Sequence, residues 1–258
     1  MQLRVLGCSG GIGQHLRTSS FLVDEDILLD AGTGVGDMSL EAMRQLRHLF
    51  ITHSHMDHIA SIPLLVDTLF SELNDHQQPL VVHARQETID SFKKHIFNWE
   101  IWPDFTELPT KHTPVLEFQV MKPGEVVEVN GRRIEMIEVN HTVPAVAYAL
   151  RGDDRVLVYS GDTTANENLW QVLNGYDRVD FMVIESAFAN HDLELAKLAH
   201  HYCPSLLADD LHKLKHNPRV GISHLKPGEE QTIMGECRTA IDAHRELLQL
   251  SSGDLFQI

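Results

Sequence analysis

The segment His53-Ser54-His55-Met56-Asp57-His58 limits the fold more tightly than any other feature, because it sets four metal-ligand side chains within six residues directly after the apolar strand His48–Thr52. In extended backbone, side chains alternate with period two, so His53 and His55 face the same side. Asp57 and His58 follow where the chain turns into a helix, so one loop can offer two ligands to one metal and two to another. Imidazole and carboxylate donors suit zinc, and also iron or manganese. A His-rich polar surface loop is the plain alternative, and it gives no reason for three histidines and an aspartate at this spacing.

A metal held this way needs further ligands on rigid supports, and strand ends supply them. His141 follows the strand Arg133–Val139, Asp162 follows Val156–Tyr159 through Ser160–Gly161, and His224 follows Val220–Ser223. Any one of these alone reads as an ordinary loop residue; their shared placement points to one site.

The order of elements supports a sheet-based architecture. Leu3–Leu6 opens the chain, Ser20–Val23 and Ile27–Leu29 flank the charged turn Asp24–Asp26, and Val126–Val129 and Arg133–Val139 flank Asn130–Gly131, a hairpin signal. Helical patterns are expected over Met38–Leu46, His58–Leu73, Arg85–Ile96, Leu193–Ala199 and Pro204–Leu214, with further strands at Val81–His83, Val146–Leu150 and Asp180–Ile184. Strand-rich stretches alternating with helices imply an α/β chain in which sheets are covered by helices. No repeat, low-complexity run or linker divides it, so residues 1–258 read as one domain.

Composition narrows the partners. A formal net charge of -16 repels phosphate backbones, and no basic patch relieves it, which argues against polymeric nucleic acid and for a small substrate. The three scattered cysteines fit neither a disulfide framework nor a cysteine zinc site. The start MQLRVLGCSGG has no apolar leader core and no run approaches a membrane span, so a cytoplasmic protein without membrane association is expected.

The motif HSHMDH, followed by His141, Asp162 and His224 at strand ends, resembles the metallo-β-lactamase fold superfamily over nearly the whole chain. That resemblance implies an αβ/βα four-layer sandwich, two mixed sheets flanked by helices, with two divalent ions between the sheets. Carried over by position, one metal takes His53, His55 and His141, the other takes Asp57, His58 and His224, and Asp162 bridges them. Zn2+ is the first choice, with Mn2+ or Fe2+ as alternatives. Asp30, before Ala31-Gly32-Thr33-Gly34, matches a supporting loop aspartate. Two metals lower the pKa of a shared water, and the resulting hydroxide attacks the substrate, with Asp57 orienting it or shuttling its proton. Di-iron relatives that reduce oxygen carry a carboxylate where His55 stands, so this pattern favours hydrolysis.

Within the superfamily, His53–Pro63 resembles the signature of class II cyclic-nucleotide phosphodiesterases, with Met56 in place of the usual leucine. Asn140–Pro144, Ile184–Phe188 and Ser223–Pro227 are similar to other segments of that family, which implies hydrolysis of a 3′,5′-cyclic nucleotide to its monophosphate. Ribonuclease Z uses the same seven ligands. It is disfavoured by the short interval from His141 to Asp162, by the acidic charge, and by Ile184-Glu185-Ser186-Ala187 standing where that family has His-Glu-Ala-Thr, which removes its additional catalytic histidine. A glyoxalase II-type thioesterase is a more distant alternative, and the full ligand set argues against a non-enzymatic scaffold.

Several residues are candidates for supporting roles. Trp99 and Trp102, in the aromatic stretch Phe97–Phe105, either cover the cleft and stack on a base or pack in the core or against a homodimer partner. Lys226 either meets a phosphate oxygen or simply faces solvent, and Glu185 is placed to support a ligand histidine. His200, His201, His212 and His216 read as surface groups on a helix.

Overall fold

The computed structural model describes residues 1–258. Short apolar strands assemble into two seven-stranded sheets. The first sheet contains β1 (Gln2–Gly7), β2 (Ser20–Val23), β3 (Ile27–Leu29), β4 (His48–Phe50), β5 (Leu80–Ala84) and β8 (Leu116–Val120), ordered β1-β2-β3-β4-β5-β8, with β6 (Pro109–Thr110) and β7 (Thr113–Pro114) forming a separate ribbon. The second contains β9 (Val126–Val129), β10 (Arg132–Val139), β11 (Ala145–Gly152), β12 (Arg155–Tyr159), β13 (Phe181–Glu185), β14 (Arg219–Ser223) and β15 (Leu247–Gln249) in sequence order. The last strand, β16 (Leu255–Gln257), crosses back to pair with β1 at the edge of the first sheet. Each sheet is mixed: β3, β4, β5 and β8 run parallel, as do β12 to β15, while the remaining pairs are antiparallel.

Period-two alternation sorts the strand residues into layers. Ile27, Leu29 and Phe50 point between the sheets, where they meet Ile134, Tyr148, Leu157 and Phe181. Leu28, Leu49 and Ile51 point the other way, onto Leu65, Val66 and Leu69 of α3 (Ile62–His76) and Ile89 and Phe92 of α4 (Gln86–His95). In the second sheet Val156, Val158, Met182 and Ile184 face Trp170 of α5 (Asn168–Leu173), Leu207 of α7 (Pro204–Leu211) and Ile233 of α8 (Glu230–Ala240). Strands buried on both faces explain the near-continuous apolar runs. The result is the four-layer αβ/βα sandwich of the metallo-β-lactamase fold. No helix is long and apolar enough to cross a membrane.

The structure corrects several element boundaries. The expected helix Met38–Leu46 is a 3-10 turn over Thr33–Asp37 followed by the single turn α1 (Leu40–Met43). The expected helix from His58 is broken into α2 (Met56–Ile59) and α3, because Ser61 N–H donates to the Ala31 carbonyl and its hydroxyl to Gly32. β8, α5, α8, β15 and β16 are additional to the expected elements.

Hydrogen bonds between the halves hold the sandwich in register. Tyr148 on β11 donates its hydroxyl to the Ile51 carbonyl at 3.0 Å. Arg132 on β10 bridges to Asp24 at 2.7 Å and Asp26 at 2.5 Å in the β2–β3 turn. Burial raises the Asp26 pKa, but hydrogen bonds from Arg132 and Asn130 outweigh it and hold the carboxyl below its ordinary value. Arg132→Met should cost roughly 1–3 kcal/mol in urea unfolding, with solvent screening at half-exposed Asp24 favouring the lower end. A depressed carboxyl stabilises the fold above its unfolded pKa, and that stability is lost as pH falls through the folded value. The gap between wild type and variant should therefore close as pH drops below the ordinary carboxylate range; an unchanged gap would contradict the pairing.

Candidate metal centre

All seven ligand-type residues follow the C-terminal ends of strands: His53 and His55 in the loop after β4, Asp57 and His58 in the short helix α2 that follows it, His141 after β10, Asp162 after β12, and His224 after β14. The fold brings them together in two groups that share Asp162. One group is His53, His55, His141 and Asp162; the other is Asp57, His58, Asp162 and His224, with the ligand atoms of each within 4.8 Å of one another. His58 Nε2 and His224 Nδ1 stand 3.2 and 3.3 Å from the Asp162 carboxylate, and His53 Nε2 stands 3.8 Å from it. Asp57 approaches His58 and His224 at 3.8 Å, and the facing nitrogens of His55 and His141 are 3.2 Å apart.

Tight backbone makes this convergence work. Gly161 sits against Thr52, so a Cβ there would fall 2.8 Å from the Thr52 Cβ, and its φ of 57° favours glycine. Asp30 and His224 adopt left-handed backbone at φ 53° and 61°, which is costly for side-chain-bearing residues and persists because their surroundings fix it.

In His53, His58 and His141 the distal nitrogen is tied to a protein group, which aims the other nitrogen at the centre. His58 Nδ1 lies 2.6 Å from Asp30. The Thr52 hydroxyl donates to Asp30 at 2.8 Å, leaving its oxygen to accept from His53 Nδ1 at 3.0 Å. His141 Nδ1 bonds the carbonyl of His200 at 2.9 Å.

Burial and neighbouring histidines keep His53 well below its ordinary pKa, and burial pushes His141 to about 4 and His224 to about 3. Neutral imidazole is the form that ligates metal. At His58, burial is outweighed by Asp162 and Asp30 and the pKa rises, so a proton and a cation compete for this residue. Burial also opposes ionisation of Asp162, but His224 and His58 prevail and hold its carboxyl well below the usual range.

The Nε2 atoms of His53 and His58 supply the test of fit. Both are fully buried, both face the shared carboxylate, and neither has a hydrogen-bond partner. Unpaired polar atoms are costly in a protein interior, and a bound cation removes that cost. The residues present fit two divalent ions.

Asp30, Glu185 and His201 stand around the ligand candidates in different ways. Asp30 supports His58, as its position suggested. Glu185 is fully buried, but its partner is His201 at 2.6 Å rather than one of the seven ligand candidates; it also accepts from the Thr163, Ala187 and Tyr202 amides. His201 is therefore no surface group. Its ring lies 4.9 Å from that of His141 and 5.2 Å from that of His224. Burial opposes its charge, yet Glu185 outweighs burial and raises its pKa. Pro204 starts a new helix just beyond it, and that stop signal marks residues 199–203 as a loop able to turn inward.

Trp102 packs partly buried against the first-half core, matching the packing alternative, while Trp99 projects into solvent on left-handed backbone at φ 66°. Neither makes an aromatic contact or hydrogen bond with the histidine cluster. Lys226 lies two residues beyond His224, half-buried, with Nζ bonded to the Gly10 carbonyl at 3.0 Å.

If Asp30 sets the aim of His58, Asp30→Asn should weaken metal binding about 10–100-fold while the chain stays folded. Chelator competition with circular dichroism as a folding control measures this; undiminished affinity would remove Asp30 from the support of the centre.

Comparison with known proteins bears on the family and the fold. Residues 37–151 match the family model of class-II cAMP phosphodiesterases. A probable 3′,5′-cyclic-nucleotide phosphodiesterase of Yersinia pestis is 24% identical over 95% of this chain and 76% of its own length. A ribonuclease Z of Halorubrum lacusprofundi is 30% identical over 60% of this chain, which spans about half (49%) of that relative. The crystal structure of the metallo-β-lactamase fold protein YhfI from Bacillus subtilis superposes with a TM-score of 0.79 at 18% identity, covering 99% of this chain and 98% of that one. The chain is thus a metallo-β-lactamase-fold protein, similar in sequence over residues 37–151 to the class-II cAMP phosphodiesterases.

Proposed function

We propose that the chain is a dinuclear phosphodiesterase that hydrolyses a 3′,5′-cyclic nucleotide to the nucleoside 5′-monophosphate. The observation that carries the dinuclear part is the pair of ligand groups meeting at buried Asp162. The cyclic substrate is supported by the class-II family match and by the Yersinia pestis relative, which aligns with 95% of the chain. The chain's acidic charge does not exclude RNA, since ribonuclease Z proteins are among its relatives.

His53, His55, His141 and Asp162 would hold one ion, and Asp57, His58, His224 and Asp162 the other, with zinc the first choice for this donor set. Such ions lower the pKa of a water towards neutrality and take up negative charge on the phosphoryl oxygens. Asp57, one-third exposed at the mouth of its group, orients the attacking water and accepts its proton. His201, hydrogen-bonded to Glu185 and in ring contact with His141 and His224, donates a proton to the leaving 3′-oxygen as the P–O3′ bond breaks. The water oxygen thereby replaces O3′ on phosphorus.

These roles separate experimentally. Asp162→Ala should abolish hydrolysis and release metal; full activity would end the bridging assignment. His201→Gln should lower kcat on a cyclic nucleotide by about 10²–10⁴-fold and much less on bis(p-nitrophenyl) phosphate, whose leaving group needs no proton. Equal losses on both substrates would rule out proton donation. A panel of cAMP, cGMP, pre-tRNA and a glutathione thioester tests the substrate. Turnover of pre-tRNA or the thioester alone would overturn the cyclic-nucleotide reading.

A further inference from the structure

Lys226 differs from every other lysine in the chain. Lys213, also partly buried, is paired with Glu167 and Asp210, and the remaining lysines are exposed. Lys226 is half-buried and has no carboxylate partner. Carboxylates are abundant in a chain of net charge -16, so an ammonium kept from them and half withdrawn from water has its charge free for another anion.

Its neighbours fix where that anion would lie. Nζ donates to the Gly10 carbonyl at 3.0 Å and stands 5.5 Å from the centroid of the Phe188 ring. Gly10 abuts His224 so closely that a Cβ there would fall 2.4 Å from the His224 carbonyl and 3.1 Å from its Cδ2. The Phe188 ring lies 5.7 Å from that of His201. Both anchors of the ammonium therefore pack against the histidine cluster, Gly10 against His224 and Phe188 against His201. An ammonium carries three donors, and the protein accepts only one of them here.

We propose that Lys226 is a substrate-binding cation whose Nζ grips a phosphoryl oxygen of the bound diester or of the monophosphate product. This deepens the phosphodiesterase reading and rests on it for the identity of the anion. Phe188 and Gly10 hold the ammonium in position, so the grip loses less side-chain entropy than a free lysine would.

The test uses the full zinc-loaded chain and inorganic phosphate as the probe, followed by calorimetry. Lys226→Gln should weaken phosphate binding about 10–100-fold, the loss of one charge-assisted hydrogen bond, with metal content unchanged. Lys226→Arg should recover most of that loss. On bis(p-nitrophenyl) phosphate, Lys226→Gln should raise KM by a similar factor with a smaller effect on kcat. Unaltered phosphate affinity in Lys226→Gln, or a variant whose only defect is lost metal, would overturn the proposal. A wild-type chain inactive on cyclic nucleotides that still binds phosphate through Lys226 would defeat the substrate assignment while upholding this one.

Discussion

The carboxylate of Asp30 has no solvent exposure, so every hydrogen bond it forms must come from the protein. Four donors reach it: the Thr52 amide at 2.8 Å, the Thr52 hydroxyl at 2.8 Å, His58 Nδ1 at 2.6 Å and the Tyr159 hydroxyl at 2.7 Å. The first two belong to the loop after β4, the third to α2 and the last to β12 of the other sheet, so one buried carboxyl ties the two halves of the sandwich together beside the ligand cluster. Removing such an acceptor strands several donors at once, which is costlier than losing a surface pair.

The geometry of the cleft follows from that pin. With Thr52 fixed, its hydroxyl orients His53, and the same carboxylate orients His58. Asp162 is carried in beside them because Gly161 allows the β12 loop to pass directly against Thr52. Both histidines then present a nitrogen without a hydrogen-bond partner to a shared carboxylate. The ordering cost of the site is met by folding, and a divalent ion held there would relieve an interior polar deficit.

Much of this was legible in the sequence, for physical reasons that differ by residue. His53, His55, Asp57 and His58 are adjacent, so their convergence needs only local backbone geometry. His141, Asp162 and His224 were found because parallel strands deliver their ends to one edge, and apolar strands are readable as short buried runs. His201 was missed because it follows a helix and enters through a loop in which His200 takes left-handed backbone at φ 54°. The partner of Glu185 could not be assigned from sequence for the same reason, since sixteen residues and a helix separate it from His201. β8 escaped although Leu116-Glu117-Phe118-Gln119-Val120 alternates, and β16 because its pairing with β1 spans the whole chain. The break between α2 and α3 depends on Ser61 bonding Ala31 and Gly32, a tertiary contact that no helical pattern reports.

The central claim is that seven side chains form two cation sites joined by one carboxylate. Anomalous diffraction at the metal absorption edge, from crystals grown without chelator, addresses it directly. Two peaks should appear, one among His53, His55 and His141, the other among Asp57, His58 and His224, with Asp162 bound to both. A single peak, or two peaks without Asp162 between them, would contradict it.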